Sequence, residues 1–220
     1  MTILITGANR GIGLAMAELA ASKGEAVIGT YRGDTAPRQA GIDWQRLEVA
    51  DPASHKGLAQ RLSQTALSLL VCNAGVFLDR DQKLENGYGK SLWDDEFAVN
   101  VTGVFLTIQA LLPNLHKAKG KIAIISSQLG SQTQATGGNY IYRASKAAAL
   151  NLGRNLAADL AGREIAVGIY HPGWVQTDMG GTSAAITPAQ SASGLLTRFA
   201  ELNMASTGCF QTWDGRTHAF

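Results

Sequence analysis

The chain alternates between short apolar runs and longer stretches of helical period. The runs Thr2–Thr6, Glu25–Thr30, Trp44–Val49, Ser68–Cys72, Lys121–Ser126, Ile165–Tyr170 and Cys209–Trp213 are rich in aliphatic, β-branched or aromatic residues, which predicts strands. Between most of them, Leu14–Ser22, Pro52–Gln64, Leu92–Leu115, Tyr142–Ala161 and Pro188–Leu202 carry apolar residues at three- to four-residue spacing, which predicts helices. Several strands are unbroken apolar runs, the pattern of a strand covered on both faces. Regular strand–helix alternation predicts an α/β fold, a parallel sheet of about seven strands with helices on both faces. The stretches Arg32–Ile42, Leu78–Lys90, Gly130–Asn139 and Asp178–Thr187 are expected loops.

Composition narrows the picture. With 220 residues, 45% hydrophobic and 16% charged, the chain can bury one large core, and no compositional break divides it. Residues 1–220 are therefore expected to form one domain. The net charge of +2 comes from scattered Lys and Arg, without a basic run or basic–aromatic interleaving, so no nucleic acid partner is expected. No uninterrupted apolar stretch approaches the ~20 residues that span a bilayer. Met1 leads straight into the first strand, leaving no room for a signal segment. A soluble, cytoplasmic protein with no membrane partner is expected. Cys72 reads as a small buried hydrophobe, a disulfide with Cys209 cannot be argued from spacing alone, and no metal-ligand spacing occurs.

The first chemical signal is Thr6-Gly7-Ala8-Asn9-Arg10-Gly11-Ile12-Gly13, which follows the first strand and opens an Ala-rich helix. Glycines there permit a tight turn, bring backbone N–H groups to a pyrophosphate and let the helix pack closely on the strand. Gly7, Asn9, Arg10, Gly11, Ile12 and Gly13 are the predicted cradle. The second signal is Tyr142 and Lys146, four residues apart and so on one helix face. A phenol with an ordinary pKa of about 10 becomes a better proton trader beside a cation, so Tyr142 could exchange a proton with a carbonyl or alcohol oxygen. The end of the second strand, Gly29-Thr30-Tyr31-Arg32, bears on the dinucleotide. An NAD(H) site usually places an acid there, whereas a 2′-phosphate wants cations. Asp34 lies past the strand tip, while Arg32 and Arg10 supply positive charge. NADP(H) is expected, with NAD(H) the alternative.

Thr6-Gly-x-x-x-Gly-Ile-Gly13, Asn73-Ala74-Gly75, Asn100, Ser126-Ser127, Tyr142-x-x-x-Lys146 and Pro172-Gly173 occur in the order and approximate places of the short-chain dehydrogenase/reductase family, which the chain resembles over nearly its whole length. Within it, Gly137–Lys146, His171–Gly180 and the terminal Phe210–Gly215 resemble the C-factor-like, sniffer-type carbonyl reductase branch. The resemblance implies a doubly wound Rossmann-type fold and hydride transfer between NADP(H) and a small carbonyl/alcohol substrate. It implies Tyr142 as proton donor, Lys146 as the residue that holds the nicotinamide ribose and lowers the Tyr142 pKa, and Ser127, rather than Ser126, as the hydrogen bond to the substrate oxygen. Asn100 would bind a water linking Lys146 to solvent. Asn73, Ala74 and Gly75 would brace the central strand and contact the adenosine side, and Glu48-Val49 would contact the adenine, with Glu where the family has Asp. Pro172, Gly173 and Val175 would face the nicotinamide and Thr177 the pyrophosphate.

Other expectations accompany these. Asp51 reads as a helix cap, His171 as structural, and Trp174, Leu129 and Met179 as apolar pocket walls. The family assembles as dimers or tetramers through its two long helices, so a homodimer or homotetramer is expected. The short Asp178–Thr187 segment predicts an open pocket. A dinucleotide-binding regulatory or signalling protein with little turnover is the alternative function; a nucleotide-sugar isomerase or epimerase is disfavoured because 220 residues leave no sizeable substrate domain.

Overall fold

The computed structural model describes Met1–Phe220. Seven strands form one sheet: β1 (Thr2–Ile5), β2 (Ala26–Tyr31), β3 (Ile42–Arg46), β4 (Leu69–Cys72), β5 (Lys121–Ile125), β6 (Val167–His171) and β7 (Phe210–Thr212). Every neighbouring pair is parallel, and the order is β3-β2-β1-β4-β5-β6-β7. The chain winds outward in both directions from β1 and β4, so a crevice opens at their carboxyl ends.

The strand period of two explains why both faces are apolar. Ile3, Ile5, Leu69 and Val71 point to the face where Met16, Ala17, Leu195 and Phe199 of α1 (Gly11–Ser22) and α6 (Pro188–Glu201) complete a core. Leu4, Leu70 and Cys72 point to the other face, against α2 (Pro52–Arg61), α4 (Gly103–Ala118) and α5 (Tyr140–Ala161). Burial raises the Cys72 thiol to about 12, and both cysteines are free. Asp51 caps α2, its carboxylate accepting from the Ala53 N–H at 2.9 Å ahead of Pro52.

Several elements differ from the expected pattern, among them α1, which starts at Gly11, and α2, which ends at Arg61. β3 lies two residues nearer the amino terminus, because Ile42 pairs with Val27 while Glu48 and Val49 turn out of the sheet. The Glu48 N–H donates to Ser54 Oγ at 2.9 Å, and the Val49 carbonyl meets His55 Nε2 at 2.9 Å. The expected helix Leu92–Leu115 is instead α3 (Lys90–Phe97) and α4 joined by a π-helical turn over Ala98–Thr102. Apolar spacing continues across the turn and so conceals it. β6 starts two residues later than expected and ends one later, at His171. The continuous stretch Lys90–Ala118 is long and apolar enough to cross a bilayer by length and composition, yet Val104, Ile108, Leu111 and Leu115 are buried in the core.

Buried Asn114 ties α4 to the α2–β4 connection. Its Nδ2 donates to the Leu62 carbonyl at 2.6 Å and to the Thr65 carbonyl at 2.8 Å, while its own carbonyl accepts from the Leu67 N–H at 3.0 Å. Asn114→Ala leaves the two carbonyls without this donor and is expected to cost about 1–3 kcal/mol. Urea unfolding should show a lower midpoint with an unchanged slope, and an unshifted midpoint would show that the tie contributes nothing.

Candidate active site

The crevice floor is the turn from β1 into α1. Gly7 and Gly11 have φ of 62° and 57°, a region that L side chains rarely enter. A Cβ on Gly13 would lie 2.4 Å from the Gly7 carbonyl oxygen and 2.6 Å from Asn73 Nδ2, so no side chain fits there. The loop is braced from two sides. The Gly7 N–H donates to Thr30 Oγ1 at 3.1 Å; Thr6 Oγ1 accepts from the Asn73 and Ala74 N–H groups at 2.9 and 3.0 Å; and Asn73 Nδ2 donates to the Thr6 carbonyl at 2.9 Å. No side chain caps α1, which leaves its first N–H groups turned toward the crevice for an anion.

A trough runs along this loop. Its outer part, about 420 Å³, is lined by Asn9, Arg32, Glu48, Val49 and Ala74, and its inner part, about 540 Å³, by Gly11, Ile12, Gly13, Asn73, Pro172 and Thr177. Gly7, Arg10 and Gly75 line both parts. The two predicted cations differ. Arg10 Nη1 is 2.7 Å from Asp178 Oδ2 across the trough, an exposed pair worth little. Arg32 has no hydrogen bond or ion pair, and Asp34 is turned to Arg46 at 3.5 Å, so Arg32 is the uncommitted charge at the outer end.

The reactive groups meet where α5 starts against the end of β5. Lys146 Nζ donates to the Ile125 carbonyl at 3.2 Å and lies 5.6 Å from the centre of the Tyr142 ring. Ser126 Oγ donates to the Lys146 carbonyl at 2.9 Å, which commits Ser126 to holding the helix. Ser127 Oγ accepts from the Leu129 N–H at 3.1 Å and lines the same hollow as Tyr142. Burial pushes the Tyr142 pKa up to about 12, with the neighbouring Ser127 hydroxyl opposing it, and burial pulls Lys146 down to about 8. The net Tyr142 shift is upward, opposite to the lowering expected beside a cation, because desolvation dominates.

Asn100 sits in the π-helical turn, behind Gly75. Its Oδ1 accepts from the Val76 N–H at 2.9 Å, and its Nδ2 donates to the Val76 carbonyl at 2.9 Å and to Ser145 Oγ at 3.0 Å. Its tie to Lys146 is proximity: a Cβ on Gly75 would be 3.2 Å from Asn100 Oδ1 and 3.4 Å from Lys146 Nζ.

A third hollow, about 300 Å³, holds the Tyr142 and Ser127 hydroxyls together with Pro172, Gly173, Val175 and Thr177. Leu129, Trp174 and Met179 line it as expected, and so does Phe77, which stacks on Tyr142 at 4.2 Å and 21°. The segment Asp178–Thr187 is tied back, the Gln176 N–H donating to the Ile186 carbonyl at 2.9 Å and the Ile186 N–H to the Trp174 carbonyl at 3.2 Å.

Sequence reading misses two buried acids. Asp79, in the expected loop, reaches the start of α5, its Oδ2 accepting from the Ile141 and Tyr142 N–H groups at 2.8 and 3.4 Å. Glu96 accepts from the Leu78 N–H at 3.0 Å and from Asn100 Nδ2 at 3.4 Å, with no side-chain exposure. An acid four residues before Asn100 on one helix face was the available signal for Glu96; none marked Asp79.

A doubly wound sheet with a glycine-lined trough at its switch point and a Tyr, Lys, Ser and Asn cluster at one end defines a dinucleotide-dependent oxidoreductase class. The family model for short chain dehydrogenases matches residues 1–186, and the chain belongs to that family. It is 35% identical over 224 residues to the 1-hydroxy-2-glutathionyl-2-methyl-3-butene dehydrogenase of Rhodococcus sp. (strain AD45), covering 97% of each. It is 37% identical over 169 residues to the C-signal protein of Myxococcus xanthus, covering 73% of this chain and 96% of that one. Among solved structures, the NADPH-bound carbonyl reductase from chicken fatty liver superposes with a TM-score of 0.89 at 31% identity, over 100% of this chain and 98% of that one. Carbonyl reductase Sniffer of D. melanogaster superposes with a TM-score of 0.91 at 28% identity, over 100% and 99%. These similarities place the chain near the C-factor and sniffer branch.

Glu96 gives the site a stability signature. Burial, aided by Asp79, raises its pKa from 4.5 to about 7 against the Leu78 N–H and Lys146, so its favourable contribution is present below pH 4.5 and lost as pH rises through 7. Buried His171, pulled from 6.5 to about 4, contributes the opposite trend, present above pH 6.5 and lost as pH falls through 4. The two partly cancel in the wild type. The test is therefore the difference: Glu96→Gln, which cannot ionise, should gain up to about 3 kcal/mol relative to wild type between pH 5 and pH 8. Thermal melts across that range check it, and a pH-independent difference would show that Glu96 does not titrate in the fold.

Proposed function

We propose that residues 1–220 form one NADP(H)-binding domain of an oxidoreductase that moves a hydride between the nicotinamide and a carbonyl/alcohol carbon of a small molecule. The observation that carries this reading is the shared hollow of the Tyr142 and Ser127 hydroxyls, with Lys146 at its junction with the glycine-lined trough. The residues fit the dinucleotide: glycines stand where a Cβ would collide, uncapped N–H groups suit a pyrophosphate, and unpaired Arg32 suits a 2′-phosphate. The likeness to an NADPH-bound carbonyl reductase supports the same choice over NAD(H).

NADP(H), when bound, supplies or accepts the hydride. Gly7, Asn9, Arg10, Gly11, Ile12 and Gly13 would hold its phosphates, aided by Thr177. Glu48, Val49, Ala74 and Arg32 would hold its adenosine end, and Pro172, Gly173 and Val175 would face the nicotinamide. Ser127 would fix the substrate oxygen. Tyr142, a protonated phenol at neutral pH, would donate its proton to that oxygen in reduction. Lys146 would hold the ribose and, cationic below about pH 8, stabilise the phenolate left behind. Asn100 would anchor a water behind Lys146. Assembly as a homodimer or homotetramer through α4 and α5 follows the family pattern, and half-exposed Phe105 on α4 suits such a contact.

Similarity to C-signal favours a second reading, a dinucleotide-dependent regulator with little turnover. One experiment separates the two. Nucleotide fluorescence titrations should show NADPH bound more tightly than NADH, with Arg32→Ala weakening NADPH alone by about tenfold or more. Tyr142→Phe should bind NADPH normally and lose about 10²-fold or more in turnover on a carbonyl panel. Binding without turnover on any carbonyl would move the reading to the regulator, and equal affinity for both nucleotides would overturn the cofactor assignment.

A further inference from the structure

Beyond the catalytic hollow, on the side of β7 and the terminal residues, lies another cavity of about 540 Å³, a size that ligand sites commonly have. It is lined by Gln134, Trp213, Asp214, Arg216 and His218, and it shares Gln128, His171, Gly173 and Trp174 with the catalytic hollow. The two spaces adjoin along one layer of residues, immediately after Ser127. At Gly173, with φ of 89°, a Cβ would lie 3.0 Å from the Trp213 ring, so glycine lets that indole pack directly on the Pro172–Gly173 turn.

The walls of this cavity hydrogen-bond without carrying net charge. Gln128 and Gln134 use only main-chain groups within the protein, which leaves both side-chain amides unpaired. His171 is only 8% exposed, and its Nδ1 has no partner. Its depressed pKa keeps the ring neutral at neutral pH. Arg216 Nε is held by Asp214 Oδ2 at 3.0 Å, so the two formal charges offset each other. The indole faces of Trp174 and Trp213 add flat apolar surface.

An alkyl chain here would leave these donors and acceptors without partners, and an anion would meet the Asp214 carboxylate beside the cation. A secondary amide offers one donor, one acceptor and a planar face, and so matches Gln, neutral His and Trp together. We propose that this cavity is the distal half of the substrate site and takes a neutral, amide-bearing, peptide-like arm attached near the reacting carbonyl or alcohol carbon. The proposal rests on the oxidoreductase reading for the near half of the substrate.

Two ketones test it, identical at the reacting carbon, one carrying an N-acetylglycinamide arm and the other an alkyl arm of equal length. The expected result is a kcat/KM about tenfold or more higher for the amide compound, with the ratio collapsing toward one in Gln134→Leu, a substitution at an exposed position outside the core. A ratio near one in the wild type, or a ratio that survives Gln134→Leu, overturns the proposal. If neither ketone turns over, the oxidoreductase reading fails separately, and quenching of tryptophan fluorescence by the amide compound still reads the cavity. Saturable quenching that weakens in Gln134→Leu supports the distal site, and its absence overturns it.

Discussion

The first two turns of α5 are held against the carboxyl end of β5 by the segment Ser126–Gly130 and by Asp79, and the positions of Tyr142 and Lys146 follow from that contact. Ser126 Oγ grips the Lys146 carbonyl, and Asp79 accepts the Ile141 and Tyr142 N–H groups. The turn after Ser127 closes in because Gly130 has no side chain: a Cβ there would lie 2.6 Å from the Lys146 carbonyl carbon. Helix, strand end and turn are therefore packed together, and Ser127 and Tyr142 come to line one hollow as a consequence of backbone packing.

That packing sets the electrostatics. Taking Tyr142 and Lys146 out of water disfavours the charged form of each, so the phenol rises to about 12 and the ammonium falls to about 8. Glu96 opposes the shift of Lys146 and adds to that of Tyr142, which links a carboxyl outside the hollow to the proton chemistry inside it. Asn100 stands between them, bonded to Glu96, Ser145 and the Val76 backbone. The π-helical turn gives Asn100 this position without interrupting the long helix.

The trough and the hollows divide their tasks by chemistry. Glycine and backbone N–H groups line the trough, where close approach matters more than side-chain identity. Aromatic and apolar side chains line the catalytic hollow, with Phe77 stacked on Tyr142 and Arg80 4.9 Å over Phe77. Glutamine and histidine side chains and an Asp214–Arg216 ion pair line the cavity beyond His171.

Amino-acid order alone determined the seven strands and most of the helices, because apolar period reports which face of an element is buried. It also determined the glycine turn and the Tyr142–Lys146 spacing, both local consequences of backbone geometry. Tertiary structure decided the rest. The end of β3 depends on pairing with β2, the commitment of Ser126 depends on α5, and the partner of Arg10 is Asp178, far along the chain. The roles of Asp79 and Glu96, the sign of the Tyr142 shift and the cavity beyond His171 were illegible for one reason. Each arises from desolvation and contact between segments remote in sequence, and local residue patterns do not encode that surrounding.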